Sequence, residues 1–316
     1  MKKHIKKGLP FILATLITTP ALAYYDVTLG TTDTAGVWNG NEWIPNGTGS
    51  TVSVNTIQSK LAQGAVTIGT GTAVDGGTEV GDITVNAAFG WDANTLTLTA
   101  ANAVNVNAVM TAGGTAGLAF NTVDLGALYY DAPINMGIGN NGFTGRVDFT
   151  GTGNTITING KNGLIITTLG VEGGVNNDIG LQGSGGKYAY RIYVLGADID
   201  ASATATWNNG TGFTPLGGIS GIFSGHFNGL GHTIDKLTIN RPTSSAVLMW
   251  DVRYGVQNLG LTNVNFTGAT AAAIASWMGG ECSINNVFVT GTIKGSGGYV
   301  GGILATNYAN ATLTNV

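Results

Sequence analysis

Cysteine, histidine and charged residues are all scarce in this sequence of 316 residues. The single cysteine, Cys282, excludes an intrachain disulfide, and we expect it to be a small buried side chain. Charged residues make up 9% and hydrophobic residues 43%, which is the opposite of the composition that keeps chains disordered. Lys and Arg are few and scattered, so nucleic-acid binding is not expected. The chain can therefore bury a core, and its solubility depends on Asn, Thr, Ser and Gly.

Residues 1–23 have the pattern of a Sec signal peptide. Four lysines precede an apolar run, and the segment ends in Ala21-Leu22-Ala23. Cleavage there would leave 9 Lys and Arg against 17 Asp and Glu, a net charge of −8. No later run approaches the roughly 20 apolar residues of a membrane-spanning helix. The sequence predicts an exported chain with no membrane-spanning segment in its mature part.

Helical periodicity is nearly absent, apart from about two turns at residues 57–64 (IQSKLAQG). Elsewhere apolar and polar residues alternate in runs of four or five residues. These runs are rich in Val, Ile, Leu and Thr and are separated by Gly and Asn. Glycine occurs 52 times and suits corners where φ is positive. The alternating runs predict many short strands. Examples are residues 83–86 (ITVN), 96–99 (LTLT), 104–107 (VNVN) and 156–159 (ITIN).

A pattern of one apolar, two polar and one apolar residue repeats in the last third of the chain. The repeats begin at Ile234, Val256, Ile284 and Leu313, and so recur at comparable intervals. The two polar residues require a corner, and Asn tolerates the left-handed backbone conformation there. Stacked Asn amides can also form a hydrogen-bonded ladder between successive coils. The pattern predicts an all-β, right-handed parallel β-helix, less certain in its N-terminal part. The third positions of the repeats are Lys236, Asn258, Asn286 and Asn315.

Three parts of the chain carry a family resemblance. They are residues 190–217, the stretch FSGHFNGLGHTIDKLTINRP that follows, and the units around Asn258 and Asn286. They resemble the part of filamentous-haemagglutinin-type bacterial surface proteins that contains GLUG repeats. The element that names the repeat is seen best at Gly301 and Gly302, in GGIL. Ala305 departs from it, and residues 245–250 and 271–276 are degenerate copies. Residues 51–110 resemble the strand-rich segments of the same adhesins more loosely.

The resemblance implies three segments. Residues 1–23 are the signal peptide, residues 24–185 are strand-rich coils with an N-terminal cap, and residues 186–316 are GLUG-like coils. The sequence stops at Val316 inside a repeat, so we expect either an N-terminal fragment of a longer protein or the product of a truncated gene. The secretion signature of two-partner systems is approached only by Ile44-Pro45-Asn46-Gly47, which leaves the export route and any outer-membrane secretion partner open.

The resemblance further implies a non-enzymatic adhesin-like protein at the surface of a Gram-negative bacterium, or outside the cell. Its partner would be a protein or glycan on host-cell, bacterial or matrix surfaces, and no cofactor is expected. Two alternatives stay open. One is a β-helical polysaccharide lyase or hydrolase, and the other is a structural component of a biofilm matrix or surface layer. Three carboxylates on one flank would favour the enzyme, whereas a flank of Asn, Thr and Gly would favour the adhesin.

His226, His232 and Asp235 lie within ten positions and raise the question of a metal or catalytic site. Zinc sites need three or four ligands at set spacing, and no third His or Cys is near. We expect Phe223, Phe227, Ile234 and Leu237 to be core residues, His226 to face outward, and His232 to sit beside a glycine corner. No catalytic or metal-binding residue is predicted.

Three weaker patterns are the remaining candidates for a functional site. Asp198 and Asp200 would share a strand face as a calcium or acid–base pair, with Arg191 the one basic residue near them; a solvated strand edge is the favoured interpretation. Residues 137–142 (GIGNNG) match a phosphate-binding glycine pattern, but no helix follows, so a loop is predicted. An aromatic group could stack on sugars but more naturally caps the first coil. Its members are Tyr24, Tyr25, Trp38 and Trp43.

Overall fold

A computed structural model describes residues 24–72, 77–122, 133–173, 180–183, 191–219, 221–279, 282–307 and 312–316. The predicted signal peptide and the predicted boundary after residue 185 lie outside these ranges. Within them, no helix has both the length and the apolar character needed to cross a membrane.

The chain is all-β, as predicted, and its strands are joined by turns with little helix. Strands β1 to β10 are Val27–Gly30, Gly36–Asn39, Glu42–Pro45, Ser50–Ser53, Val66–Gly69, Ile83–Val85, Phe89–Trp91, Thr95–Ala100, Val104–Val106 and Val109–Ala112. Strands β11 to β20 are Gly117–Thr122, Ile134–Met136, Ile138–Gly139, Gly142–Phe143, Arg146–Phe149, Thr155–Ile158, Lys161–Ile166, Ile192–Leu195, Ile199–Asp200 and Ile222–Phe223. Strands β21 to β28 are His226–Asp235, Thr238–Ala246, Met249–Val252, Gly255–Ala271, Ala275–Met278, Ser283–Gly295, Leu304–Asn307 and Thr312–Thr314.

Most strand pairs are parallel and join segments far apart in the sequence. The longest sheet has 14 strands, of which twelve follow the order β2-β3-β5-β8-β11-β16-β17-β18-β21-β24-β26-β28. Beside it lie a five-stranded sheet, β12-β9-β6-β1-β4, a three-stranded sheet, β15-β10-β7, and a four-stranded sheet, β20-β23-β25-β27. Among the strands of the described residues, antiparallel pairs occur at three hairpins, β2–β3, β13–β14 and β16–β17. The parallel pairs require long crossover connections, since a tight hairpin can join only antiparallel strands.

Several successive segments of the chain each add one strand to the same neighbouring sheets, as β6-β7-β8 and β9-β10-β11 do. In the first half, Ile83, Val104 and Ile134 pair in register on three adjacent strands. In the second half, Val256, Ile284 and Leu313 do the same. Alternation then decides which side chains enter the core. Along β8, for example, Leu96, Leu98 and Ala100 are buried and the threonines between them face outward.

Two groups of buried apolar side chains form the core. The first group consists of buried residues between Val27 and Ile158, together with Ile192, Val194 and Leu230. The second group consists of the other buried residues between Ile166 and Val287. Strand β18 divides its residues between them, because Tyr193 and Leu195 belong to the second group. The 14-stranded sheet passes from one group to the other without interruption.

The predicted helix exists as α1, Val54–Leu61, which begins three residues before the predicted start. Its buried residues Val54, Ile57 and Leu61 lie on one face. The side-chain amide of Gln58 also donates to the carbonyl of Gly90, at 2.8 Å. Short helical turns lie at Leu181–Gly183, Ser202–Ala205 and Trp207–Gly210.

Two strands of the second half are much longer than the four or five residues predicted from the alternating runs. Strand β24 has 17 residues and β26 has 13. They continue past the corners because Asn258, Asn263 and Asn286 adopt positive φ within the strands, at 55°, 52° and 56°. The register shifts at such a corner, between Leu261 and Val264, while pairing resumes on both sides.

Trp38 and Trp43 lie on the β2–β3 hairpin, at one end of the 14-stranded sheet. Trp43 is buried, and the two rings meet edge to face with centroids 5.4 Å apart. The Lys60 ammonium lies 4.6 Å from the Trp38 ring centroid. Tyr24 instead pairs with Glu79 through an antiparallel bridge. This end of the sheet is therefore covered by a hairpin with aromatic side chains.

Candidate functional site

Three buried asparagine side chains form a ladder across strands β21, β24 and β26. The amide nitrogen of Asn258 donates to Oδ1 of Asn228 at 3.0 Å, and that of Asn286 donates to Oδ1 of Asn258 at 2.9 Å. Asn258 has no exposed surface, and Asn228 and Asn286 are at most 5% exposed. The ladder connects three neighbouring strands through side chains as well as through backbone hydrogen bonds.

The Asn ladder also closes the edge of the five-stranded sheet at β12. The Asn258 amide nitrogen donates to the Ile134 carbonyl at 2.7 Å, and its Oδ1 accepts the Met136 N–H at 3.1 Å. Asn286 donates to the Met136 carbonyl at 2.8 Å. Side-chain amides thus bind the backbone groups that another strand would have bound. This contact ties the first half of the chain to the second.

The sequence alignment that placed Ile234 opposite Val256 is wrong. Val256 pairs with Phe227, whereas Ile234 pairs with Leu261 and Ile199. The error arose because the same apolar-polar-polar-apolar pattern occurs at two different corners of the stack. Asn228 was missed because extra residues shift the register between it and His232. The available signal was its distance from Asn258 along the chain, which is close to the distance from Asn258 to Asn286.

The third positions of the predicted repeats do share one backbone conformation. Lys236, Asn258, Asn286 and Asn315 have φ values of 58°, 55°, 56° and 52°. Lys236 nevertheless belongs to another corner, where its neighbour Asp235 accepts a hydrogen bond from Asn263. The left-handed conformation is costly for most side chains, which explains why Asn is frequent there.

The two glycines of the GLUG-like element lie in the turn before β27. The Gly301 N–H donates to the Ala271 carbonyl at 3.0 Å, and the Gly302 carbonyl accepts the Ala273 N–H at 3.2 Å. Both glycines therefore bind the segment that the sequence identified as a degenerate copy of the repeat.

His232 is almost completely buried, at 1% exposure, and lies between two carboxylates. Its Nε2 is 2.8 Å from the Val147 carbonyl and 3.6 Å from Asp148 Oδ1, and its Nδ1 is 3.4 Å from Asp198 Oδ1. His232 and the hydrogen bonds from Thr233 lower the pKa of Asp198 to about 2. The expected glycine corner is present at Gly231, where φ is 86°.

Arg146 completes this charged cluster. Its Nε donates to Asp148 Oδ1 at 2.8 Å, and this bond together with the charges of Asp148 and Asp198 raises the pKa of Arg146. Arg146 and Asp148 were missed because they lie some 85 residues from His232 in the sequence, as the contact from His232 to Val147 illustrates. The prediction that Arg191 alone is basic near Asp198 is therefore wrong.

His226 does not face outward as expected. It is 5% exposed and pairs in register with buried Ile192. Its Nδ1 accepts the Gly255 N–H at 3.3 Å, and its ring centroid is 4.9 Å from that of Tyr254. The expected core residues Phe223, Phe227, Ile234 and Leu237 are all buried, at 2% exposure or less.

The acidic candidates have separate partners. Asp200 accepts the Ser202 N–H, which lowers its pKa. Asp235 accepts hydrogen bonds from Asn263 and Thr262, and these lower its pKa as well. Asp198 belongs to the His232 cluster. In the described parts of the chain, no group of three or more His, Cys, Asp or Glu side chains has an arrangement that could hold a metal ion.

The two remaining candidates from the sequence, residues 137–142 and Cys282, are part of ordinary structural contacts. Residues 137–142 contain the tight hairpin of β13 and β14, and no helix begins there. Cys282 is buried, and its thiol contacts the Tyr254 carbonyl.

The outer face of the five-stranded sheet carries a row of uncharged polar side chains. Asn135 donates to Asn105 at 3.0 Å within this row, and Asn107 donates to Asn86 at 3.0 Å in the next one. All members of the first row are partly exposed. In sheet order they are Asn135, Asn105, Thr84, Thr28 and Thr51.

Comparison with known proteins gives one partial similarity. No family model matches the chain, and no solved structure matches it. An alignment 129 positions long, which covers 36% of the chain, is 37% identical to Halomucin from Haloquadratum walsbyi (strain DSM 16790 / HBSQ001). The matched segment spans about 1% of Halomucin. It is too small a part of that protein to show a family or a function for this chain.

Proposed function

We propose that this chain is an exported, non-enzymatic adhesin-like protein whose strands form a right-handed parallel β-helix. The stack would act as a stalk and as a contact surface. The observation that carries this proposal is the row from Asn135 to Thr51 on an outer sheet face. A flank of Asn, Thr and Gly was expected to favour the adhesin, and three carboxylates on one flank to favour the enzyme.

The pairing pattern supports the helical coil. Three successive segments of the first half return to the same three sheets, with the strands β6-β7-β8, then β9-β10-β11, then β12-β15-β16. Parallel strands in one sheet are joined by right-handed crossovers in about 98% of cases. A chain that repeats such crossovers in three sheets forms a right-handed coil.

The polar rows support a role in contact rather than in chemistry. Their side chains lie at strand spacing, about 4.8 Å apart, and can bind a partner through many weak hydrogen bonds. Because the rows are uncharged, such contacts would depend little on salt. The family resemblance to filamentous-haemagglutinin-type proteins adds to this interpretation, and a structural role in a matrix or surface layer would differ only in the partner.

A second candidate is a polysaccharide-active enzyme. One observation favours it, since Asp148 and Asp198 flank His232 at 3.6 and 3.4 Å. Burial of His232 at 1% exposure argues against it, because a substrate would have to reach the imidazole. Hydrolysis of a polysaccharide panel that is lost in Asp148→Asn would establish the enzyme instead.

Protease shaving of intact cells tests the proposed location. Serum against residues 190–316 would detect the chain before and after treatment, with a periplasmic protein as the control for leakage. We expect the signal to disappear while the periplasmic control survives. A variant without residues 2–23 should stay protected inside the cell. Protection of the complete chain would contradict the adhesin proposal.

A further inference from the structure

Strands β16 and β17 are neighbours in the 14-stranded sheet but separate after two residue pairs. Their antiparallel pairing ends at Thr157 and Asn162. From there β17 pairs with β18 over residues 163–166, while β16 pairs with β11 over residues 155–158. A gap in the sheet therefore lies between the first residues of β16 and the last residues of β17.

The turn before β16 explains the separation. Oδ1 of Asn154 accepts the Gly151 N–H at 2.7 Å, and its Nδ2 donates to the carbonyls of Gly113 and Ala116 at 2.8 and 3.0 Å. These two carbonyls lie just before β11. The start of β16 is thus held beside β11, whereas β17 follows β18.

The gap forms a cleft of about 620 Å³, a size typical of ligand sites. Its lining comes from residues 149–156 and 162–167, and none of these residues is charged. Phe149 and Ile156 are buried, whereas Leu164 is partly exposed. The cleft is therefore neutral and combines apolar surface with threonine and asparagine side chains.

The edge of β17 that faces the cleft has backbone groups without a partner among the described strands. The Ile166 carbonyl accepts the Gly196 N–H at 2.9 Å, so the backbone groups of Ile166 point towards β18. Because successive residues of a strand direct these groups to opposite edges, the N–H and carbonyl of Ile165 and the carbonyl of Gly163 point towards the cleft. Gly163 and Ile165 line the cleft and are partly exposed, so a ligand can reach this edge.

The chemistry of the cleft distinguishes among possible ligands. An open strand edge binds another extended backbone, as in the recognition of peptides by strand addition. Sugars bind by stacking on an open aromatic face, but Phe149, the one aromatic residue of the lining, is only 4% exposed. Ions would find no opposite charge in the lining. An uncharged peptide with apolar side chains fits both the strand edge and the apolar surface.

We propose that the cleft binds a short, uncharged, extended segment of a partner protein as an added strand on β17. One residue of the segment would donate its N–H to the Ile165 carbonyl and accept the Ile165 N–H, and the residue two positions away would donate to the Gly163 carbonyl. Apolar side chains at alternate positions would contact the apolar lining. The polar rows of the five-stranded sheet take no part, so this inference goes beyond the proposed contact function and does not depend on it.

Fluorescence polarisation of a labelled peptide, titrated with the complete chain, tests the cleft. The probe is NTLTLTA, the sequence of residues 94–100, because β8 alternates Thr and Leu and this sheet already pairs it on both edges. We expect saturable binding. One analogue is N-methylated at its two leucines and another at its three threonines, so that each lacks the donors of one edge. One analogue should lose about two- to tenfold in affinity for each hydrogen bond removed, and the other should bind like the probe.

Two protein variants test the location of binding. Thr152→Trp places an indole in the cleft and should abolish binding, whereas Thr243→Trp, at an exposed threonine outside the lining, should leave it unchanged. Both variants must keep the circular dichroism and unfolding midpoint of the unmodified protein. Absence of probe binding, equal binding of the probe and both analogues, or equal binding by the two tryptophan variants would overturn the proposal. Self-association of the chain that the probe reverses would assign the cleft to a second copy and overturn the choice of a partner protein.

Discussion

Replacing Asn258 by alanine should destabilise the protein more than almost any other polar substitution. The change leaves the Met136 N–H and the Ile134 carbonyl buried without their partners, at about 1–3 kcal/mol each. Alanine at a φ of 55° adds roughly 1 kcal/mol of backbone strain. The expected loss in the free energy of unfolding is about 3–7 kcal/mol. Urea unfolding of the mature chain, followed by circular dichroism, measures it.

Two further variants separate the contributions. Asn315 has the same left-handed conformation, with a φ of 52°, but is exposed, so Asn315→Ala should cost only about 1 kcal/mol. Asn258→Gly removes the amide without the strain and should fall between the two alanine variants. Equal losses for Asn258→Ala and Asn315→Ala would refute the claim that the buried amide closes the edge of β12.

Three other substitutions, at Asp198, Phe266 and Gly212, have predictable effects on the stability of the protein. The pKa of Asp198 is about 2 when folded, below its ordinary value of 3.8, so its contribution is complete above pH 4 and is lost as the pH falls towards 2. With the side chain 60% exposed, that contribution is about 1 kcal/mol at most, and Asp198→Asn should flatten the acid limb of the stability curve. Phe266→Ala should cost about 3–5 kcal/mol because the ring has no exposed surface, against about 0.5 kcal/mol or less for Val300→Ala, which is 54% exposed. Gly212→Ala should lower the unfolding midpoint clearly, because its φ is 81° and a Cβ would come within 2.2 Å of the Thr238 carbonyl oxygen. An unchanged unfolding midpoint for Phe266→Ala or Gly212→Ala would contradict the close packing described around that residue.

The all-β class and many strand positions were predictable because they depend on local alternation. The strands at Ile83, Leu96, Val104 and Ile156 lie where the apolar alternation placed them. The corner conformation was predictable for the same reason, since Asn tolerates positive φ wherever the chain turns.

Partners across the stack were harder to predict. The pairing of Val256 with Phe227 depends on extra residues at a bulge, which a pattern of four positions does not record. The contacts of Asn258 with Ile134 and of His232 with Val147 join residues 124 and 85 positions apart. No local rule relates such distant segments. His226 was misjudged because its burial depends on Ile192 and Tyr254, which come from neighbouring strands.

The extended stack of strands is the central claim, and a distance between two spin labels tests it most directly. Cysteines introduced at Thr67 and Gln257, with Cys282 replaced by serine, place labels on β5 and β24, seven strand steps apart in the 14-stranded sheet. At about 4.8 Å a step, the stack predicts a separation of roughly 34 Å. A narrow distribution centred between about 30 and 40 Å would support it. A distribution centred below about 20 Å, as for two sheets packed face to face about 10 Å apart, would contradict it.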